Sequence, residues 1–344
     1  MPNLEPGKAP RVSVILTVYK RTEYLAEALN SVLSQSYSDF EVIVADDSGT
    51  EAARELVAGC GQIERIKYLP NPATLGVALN VVNAAKHARG EFLAILNDDD
   101  IWERDLLASL TPPLEADPNR ILAASDHWIM DREGRIDAGL SESWTMDFGR
   151  ASRAEGVVAD AVEFVVEKGG PAINVTAVFR KNALDWDLVV PQVAGAYDYW
   201  ISCLLAATRK PIYYVPKRLG RWRMHGEMET GRRSHDRHEN LVYIYSTLIK
   251  RGWFPELKAV LRAKLAEALF VAARDKLAFG RAREARTFFW RSFLLQPRLR
   301  PLAQAAASIL PGSILSQIKA RRAALRKTAD APAKQNCPVP PDKE

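Results

Sequence analysis

The chain has 344 residues, of which 47% are hydrophobic and 26% are charged, and its formal net charge is +5 at pH 7. Such a chain is long and apolar enough to bury a full core, which excludes a largely disordered protein. Its three cysteines, Cys60, Cys203 and Cys337, are far apart and form no CxxC pair. This spacing argues against a disulfide framework and against a thiolate metal site.

The sequence contains no apolar run of the roughly 20 residues that a membrane-spanning helix needs. Its first ten residues, MPNLEPGKAP, lack the charged start and apolar core of a secretory signal. We therefore expect a protein that neither spans a membrane nor is exported by that route, and we predict a cytoplasmic location.

Strand-like and helix-like segments alternate over the first hundred residues. Each strand-like segment is an almost unbroken apolar run, and each is followed by apolar residues at three- and four-residue spacing. Alternation of this kind predicts an α/β fold with a mainly parallel sheet that is covered on both faces. The predicted strands are RVSVILTVY (11–19), FEVIVADDS (40–48), RIKYLPN (65–71) and EFLAILNDDD (91–100).

Acidic residues follow two of these strands directly. Asp46 and Asp47 end the second strand, and Asp98, Asp99 and Asp100 end the fourth. Because ligands bind such sheets at the carboxyl ends of the strands, we expect both clusters to face one crevice. Carboxylates without nearby His or Cys favour a hard ion, Mg²⁺ or Mn²⁺. The alternative is that these acids cap helices or lie in their first turns.

Four ordered motifs in this region resemble glycosyltransferase family 2, the large inverting family with the GT-A fold. The motifs are VSVILTVYKR (12–21), EVIVADDSGTE (41–51), LGVALN (75–80) and ARGEFLAILNDDDIW (88–102). The resemblance implies a Rossmann-like, mainly parallel sheet flanked by helices, followed here by a C-terminal helical extension. It also implies that the site binds a nucleotide-sugar donor.

The resemblance further assigns roles to individual residues. Asp46 is expected to accept an N–H hydrogen bond from a uracil base, and Asn97 stands where the family usually has the first aspartate of its DxD motif. The metal ligands implied are Asp99 and His225, the latter from the RWRMHG motif (221–226). The implied donor-binding residues are Thr17, Val18, Tyr19, Arg21, Asp46, Asn97, Asp98 and Arg223.

Inverting transfer needs a general base for the acceptor hydroxyl, and the resemblance points to Asp198 in GAYDYWISCLLA (195–206). The alternative is that Asp198 is the N-cap of a helix. Between residues 110 and 195 the sequence says little about chemistry. Trp128, Trp144 and Trp186 are candidates for a face that stacks on sugar, although packing in the core explains each of them as well.

The sequence therefore predicts a metal-dependent inverting glycosyltransferase that moves a sugar, most simply from a UDP-sugar, to a glycan or a lipid-linked acceptor. Two other classes remain open. A nucleotidyltransferase shares the topology but normally has a glycine-rich phosphate loop, and TVYKRTEYLAE (17–27) has no glycine. A noncatalytic sugar-nucleotide-binding protein would keep Asp46 and lack the base.

From about residue 240 onward the pattern is helical. Residues 281–327 carry eleven basic side chains and one acidic side chain, Glu284. The last amphipathic segment, SILSQIKARRAALRK (313–327), suits an anionic membrane surface, which would place the protein at the inner face of the cytoplasmic membrane; the alternative is a solvated face, and we predict no nucleic-acid partner. The predicted organisation is a flexible N-terminus (1–10), a GT-A domain (11–235), a helical extension (236–328) and a disordered tail (329–344).

Overall fold

The computed structural model describes residues 9–20, 22–225, 234–297 and 301. The strands in these ranges are β1 (Val12–Val18), β2 (Phe40–Asp46), β3 (Ile66–Pro70), β4 (Phe92–Asn97), β5 (Ile101–Trp102), β6 (Leu122–Met130), β7 (Ile136–Asp137), β8 (Gly156–Val158), β9 (Ala177–Arg180) and β10 (Ile212–Arg223). The helices are α1 (Leu25–Leu33), α2 (Glu51–Ala58), α3 (Val77–His87), α4 (Leu106–Glu115), α5 (Ala138–Asp147), α6 (Tyr197–Ala207), α7 (Ser234–Arg251), α8 (Lys258–Ala278) and α9 (Ala282–Leu295).

The described strands form one sheet in the order β3-β2-β1-β4-β9-β6-β10-β5, with β7 beside β6 and β8 beside β10. Strands β3, β2, β1 and β4 are parallel, and β6 is parallel to β10. Strand β9 lies antiparallel between β4 and β6. The four predicted strands are confirmed, and so is the mainly parallel sheet.

The register of β1 sets the edge at which the acidic residues gather. Strand β1 lies between β2 and β4, with Val18 opposite Asp46 and Thr17 opposite Asn97. The carboxyl ends of three strands therefore stop at the same level. The residues that follow β2 and β4 consequently emerge at the same edge of the sheet, on either side of the end of β1.

The sheet is covered on both faces. Val14 and Leu16 of β1 belong to a core cluster with Leu29 of α1 and Leu110 of α4. The residues that alternate with them, such as Ile15, are equally buried, and α3 packs on β1 and β2. This two-sided burial explains why these strands read as continuous apolar runs.

The second half of the sheet brings a distant strand to the same edge. Strand β10 pairs antiparallel with β5, so that Arg221 lies opposite Ile101. The short β5 follows directly after Asp100. The end of β10, which contains Arg223, is therefore held beside the three aspartates.

The chain divides into two compact units, residues 1–269 and 270–344. The first contains the sheet and extends 34 residues beyond the predicted domain boundary at residue 235, so that α7 and the first half of α8 belong with the sheet. In the second unit, Phe270 and Ala273 pack against Ala285 and Phe289, with a left-handed turn at Gly280 between the two helices.

Several predictions fall on residues that the structure does not describe. These are the flexible N-terminus up to residue 8, the basic amphipathic segment 313–327 and the disordered tail 329–344. None of the helices in the described ranges is long and apolar enough to cross a membrane.

A polar network is buried between β6 and the loop after α5. Arg150 donates from one amino group to Asp126 Oδ1 at 3.0 Å and to His127 Nδ1 at 3.2 Å. Because a guanidinium can only donate, His127 Nδ1 accepts and the ring proton lies on Nε2. Burial lowers the pKa of His127 well below its usual value, and Arg150 and Arg218 lower it further.

Close backbone packing requires glycine at position 90. Gly90 N donates to Ser13 Oγ at 2.8 Å. A Cβ at position 90 would lie 2.6 Å from the backbone nitrogen of Ser13 and 2.8 Å from the carbonyl carbon of Val12. Both are backbone atoms at the start of β1, so a change of side-chain rotamer cannot relieve the clash.

We predict that Gly90→Ala lowers the free energy of unfolding by about 1–3 kcal/mol, the usual effect of overpacking. Gly61→Ala is the matched control, because nothing lies within 4 Å of a Cβ there, and it should change stability by less than about 0.5 kcal/mol. Urea unfolding followed by circular dichroism measures both. Equal stability of the two variants would contradict the packing argument.

We predict that His127 makes stability depend on pH below about 6.5. The unfolded chain binds a proton there with the ordinary pKa of about 6.5, while the folded chain does not, so stability falls as the pH falls. Between pH 7.5 and 5.5 this group should remove about 1.4 kcal/mol of stability. In His127→Asn, the amide oxygen can still accept a hydrogen bond from Arg150, but the side chain does not titrate. This variant should therefore lose the part of the pH dependence of stability that His127 contributes.

His87→Asn is the control for this experiment, because His87 is exposed. Urea titrations at the two pH values should show the same pH dependence for this variant and for the unmodified protein. If His127→Asn also keeps the full dependence, His127 does not remain neutral in the fold.

Candidate active site

A cavity of about 690 Å³ opens at the carboxyl edge of the sheet. Its walls come from the ends of β1 and β4, the start of α3, the first turn of α6, and α7 and α8. The predicted site residues in its lining are Thr17, Val18, Tyr19, Asn97, Asp98, Asp99 and Asp198. The structure thus brings together residues up to 181 positions apart in the sequence.

The ends of β1 and β4 are joined by side-chain hydrogen bonds. Thr17 Oγ1 donates to Asn97 Oδ1 at 3.1 Å, and the backbone nitrogen of Tyr19 donates to Asp98 Oδ2 at 3.0 Å. The hydroxyl of Tyr197 also donates to Asn97 Oδ1, at 3.2 Å. These bonds fix Asn97 and Asp98 against the first strand and the first turn of α6.

The two acids after β2 have different environments. Asp46 is buried, accepts from the Ser48 nitrogen at 2.8 Å and from the Tyr68 hydroxyl, and is not part of the cavity lining. Asp47 does line the cavity and accepts from the backbone nitrogens of Leu75 at 2.7 Å and Gly76 at 2.8 Å. Of the two acids expected at the crevice, Asp47 is therefore the one that lines the cavity, whereas the resemblance assigns the contact with the base to Asp46.

Arg223 is buried behind the aspartates and does not line the cavity. Its backbone nitrogen donates to Asp100 Oδ1 and its Nε donates to the carbonyl oxygen of Asp99, both at 2.9 Å. Its guanidinium also pairs with Glu27 and lies 4.5 Å from the centre of the Tyr24 ring. Arg223 therefore holds the Asp98–Asp100 turn in place from behind.

His225 Nε2 lies 3.1 Å from Asp99 Oδ2, and both side chains are at least nine-tenths buried. An imidazole nitrogen and a carboxylate oxygen at this separation are two ligand atoms that could bind the same divalent ion. Within the described ranges no group of three or more His, Cys, Asp or Glu side chains could hold a metal by itself. Two protein ligands suffice where phosphate oxygens and water complete the coordination, as is usual for Mg²⁺.

The first turn of α6 presents Asp198 to the cavity. The N-cap of this helix is Ala196, and Asp198 is its second residue, so the alternative interpretation of Asp198 as an N-cap is wrong. Ser202 Oγ donates to the Asp198 backbone oxygen at 3.0 Å. On its neighbour Tyr197, burial raises the pKa of the phenol, and the carboxylates of Asp198 and Asp100 raise it further.

Aromatic rings form another wall of the cavity. Trp144 and Trp222 have ring centres 4.5 Å apart, and Trp144 lies 5.3 Å from Phe148. All three line the cavity. Of the three tryptophans proposed from the sequence, only Trp144 belongs to this wall.

The other two tryptophans have packing roles. The Trp128 ring lies 4.4 Å from the guanidinium carbon of Arg218. Trp186 packs near Phe179 and donates to the Lys181 backbone oxygen at 3.1 Å. Neither of them lines the cavity.

Among the residues of the cavity wall, Tyr197 and Trp222 were not named as site residues from the sequence, and Asp47 was named only as part of the acidic cluster after the second strand. Each lies next to or near a residue that was, because Asp47 follows Asp46, Tyr197 precedes Asp198, and Trp222 lies in RWRMHG. The neighbourhood was therefore detectable, whereas the direction of each side chain was not. Arg21, a predicted donor-binding residue, lies outside the described residues.

Comparison with known proteins adds independent information. Residues 13–152 match the family described as "Glycosyl transferase family 2". A glucosyltransferase from Escherichia coli, named UDP-Glc:alpha-D-GlcNAc-diphosphoundecaprenol beta-1,3-glucosyltransferase WfgD, is 36% identical over 91 residues, which is 26% of this chain and 36% of that protein. The matched part of this chain covers only 16% to 39% of the length of WfgD and of seven other curated relatives.

Two solved structures share the architecture. Staphylococcus aureus TarS 1–349 in complex with UDP-GlcNAc has a TM-score of 0.56 and 19% identity, and the match covers 87% of this chain and 79% of that one. The mannosyltransferase PcManGT from Pyrobaculum calidifontis, in complex with GDP-Man and Mn²⁺, has a TM-score of 0.53 and 19% identity over 94% of this chain and 86% of that one. The chain thus has the GT-A fold, and its residues 13–152 are similar to glycosyltransferase family 2.

Proposed function

We propose that the protein is a metal-dependent, inverting glycosyltransferase that uses a UDP-sugar donor and an acceptor hydroxyl on a glycan or a lipid-linked molecule. The observation that carries the proposal is the shared cavity, in which Asp98 and Asp99 of one half of the fold and Asp198 of the other line the same space. The choice of donor is supported by the relative WfgD, whose name contains UDP-Glc, and by the TarS complex with UDP-GlcNAc.

We assign the donor base to the corner between β1 and β2. Thr17 and Val18 line the cavity there, together with Asp47. Asp46 supports this corner from behind, because its carboxylate accepts from the backbone of Ser48 and from Tyr68. Thr17, Val18 and Asp47 would therefore contact the base together, and Asp46 would hold this corner in position.

We assign the diphosphate to the space next to Asp99 and His225. These two residues would hold Mg²⁺ or Mn²⁺, and the Mn²⁺ in the PcManGT complex supports that choice. When bound, such an ion stabilises the negative charge that develops on the departing diphosphate. Arg223 contributes by fixing the backbone of Asp99 and Asp100.

Asp198 is the proposed general base. As the acceptor oxygen bonds to the anomeric carbon and the bond to the diphosphate breaks, the hydroxyl proton must pass to a nearby base. Asp198 is a cavity-lining carboxylate on α6, an element separate from the strand end that carries Asp98 and Asp99. Because the acceptor oxygen attacks the anomeric carbon from the side opposite the departing diphosphate, the configuration at that carbon is inverted.

We predict that Asp99→Ala reduces donor turnover at least about 100-fold, because the stabilisation of the leaving diphosphate is lost. The measurement is release of UDP by the purified protein with Mn²⁺ and a panel of UDP-sugars. Asp187→Ala is the control, because Asp187 is exposed and does not line the cavity. Unchanged turnover in Asp99→Ala would reject the metal assignment.

We predict that Asp198→Asn lowers kcat by about 100- to 10,000-fold, the usual contribution of a general base, while the affinity for UDP and Mn²⁺ stays the same. Single-turnover kinetics and calorimetric titration with UDP measure the two quantities. A kcat within about threefold of the unmodified protein rules out Asp198 as the base. Binding of UDP without turnover of any donor by the unmodified protein would favour the noncatalytic alternative.

A further inference from the structure

One end of the cavity carries an excess of positive charge. Lys168, Arg237 and Lys264 all line it, and we call these three residues the basic end. Lys168 follows a short π-helix (Glu163–Glu167), Arg237 is in the first turns of α7, and Lys264 is in α8. Three separate elements thus direct cationic side chains to the same space.

Little negative charge from the residues that the structure describes compensates these cations. Lys168 Nζ pairs with Glu167 Oε1 at 2.9 Å. Lys264 and Arg237 form no ion pair or hydrogen bond with any described residue, and the ammonium of Lys264 lies 5.9 Å from the centre of the Tyr245 ring. By contrast, the nearby Arg150 is fully paired with Asp126.

The electrostatics of Lys264 agree with this geometry. Burial lowers the pKa of Lys264, the Glu167 carboxylate opposes that shift, and Lys168 adds to it. A half-buried ammonium beside a second ammonium is unfavourable unless an anion is bound. The basic end is therefore arranged to receive negative charge from a ligand.

The first turn of α6 separates the basic end from the acids of the donor site. Tyr197 donates to Asn97 on the donor side. Two residues later, Tyr199 donates to the Val166 backbone oxygen at 2.7 Å and packs against Tyr245, on the side of the lysines. Asp198 lies between these two tyrosines in the sequence and lines the same cavity.

The basic end also adjoins the aromatic wall. A Cβ at Gly149 would lie 3.2 Å from Lys168 Cγ, and a Cβ at Gly169 would lie 3.5 Å from the Phe148 ring. The 148–149 and 168–169 segments are thus in close contact. An aromatic surface for a sugar ring and cations for an attached anion lie side by side.

We propose that the basic end binds an anionic group of the acceptor, so that the acceptor is a sugar that carries a phosphate or a carboxylate. This inference deepens the proposed function and rests on it. The aromatic wall contacts the sugar ring, and Lys168, Lys264 and Arg237 bind the charged oxygens. The donor diphosphate, in contrast, belongs with Asp99 and His225.

The test uses three ligands that share one ring and differ in charge: glucose, glucuronate and glucose 6-phosphate. Their affinities are measured by calorimetry with the 344-residue chain saturated with UDP and Mg²⁺, so that the donor site is filled. We expect one or both anionic sugars to bind at least tenfold more tightly than glucose. The preferred one identifies the acceptor anion as a carboxylate or a phosphate.

The variant Lys168→Gln/Lys264→Gln should lose this preference by at least tenfold and should bind UDP as before. Lys168→Arg/Lys264→Arg should keep the preference, and Lys217→Gln, an exposed lysine outside the cavity, should behave as the unmodified protein. Melting temperatures without ligand show whether each variant is folded.

Three outcomes overturn the proposal: equal affinity for glucose and both anions, an unchanged preference in the double glutamine variant, or a loss of UDP affinity in that variant. The last would show that the lysines bind the donor. Failure of the unmodified protein to bind UDP with Mg²⁺ would instead reject the proposed function, and titration of the anionic sugars without UDP still tests the basic end.

Discussion

The arrangement of the site depends on one constraint: carboxylates crowded at the end of a buried sheet must each find a hydrogen-bond donor. Asp98 accepts from the backbone nitrogen of Tyr19, Asp100 from that of Arg223, and Asp47 from those of Leu75 and Gly76. Buried polar groups are unfavourable without such partners. Because the donors are mainly backbone groups of neighbouring elements, the acids also lock those elements together.

This constraint explains why Arg223 belongs to the site although it does not line the cavity. Its guanidinium lies beneath the Asp98–Asp100 turn and reaches the Asp99 carbonyl and Glu27. The antiparallel pairing of β10 with β5 delivers it there. A residue 123 positions after Asp100 in the chain therefore sets the direction in which Asp99 and its neighbours point.

The sequence was sufficient for the parts of the fold that depend on local patterns. Unbroken apolar runs that end in aspartates predicted parallel strands with a polar edge, and the register of β1 against β2 and β4 confirms this arrangement. The choice between Asp46 and Asp47 was not accessible from sequence. Successive residues at a strand end point in different directions, and the partner that buries Asp46, Tyr68, comes from the next strand.

The basic end was harder to predict, because its three cations are spread over 96 positions of the sequence, from Lys168 to Lys264, and come together only in the folded chain. In the sequence, Lys168 and Lys264 are ordinary charged residues that a solvated surface would explain. Only their place in one cavity with Asp198 distinguishes them from such residues. The cavity then has opposite charge at its two ends, which suits the proposed reaction, with a metal-bound diphosphate at one end and an anionic acceptor at the other. In that proposed reaction, repulsion between the two negatively charged substrates is reduced when each is neutralised in its own region, so that the acceptor hydroxyl and the donor's anomeric carbon would approach each other near Asp198.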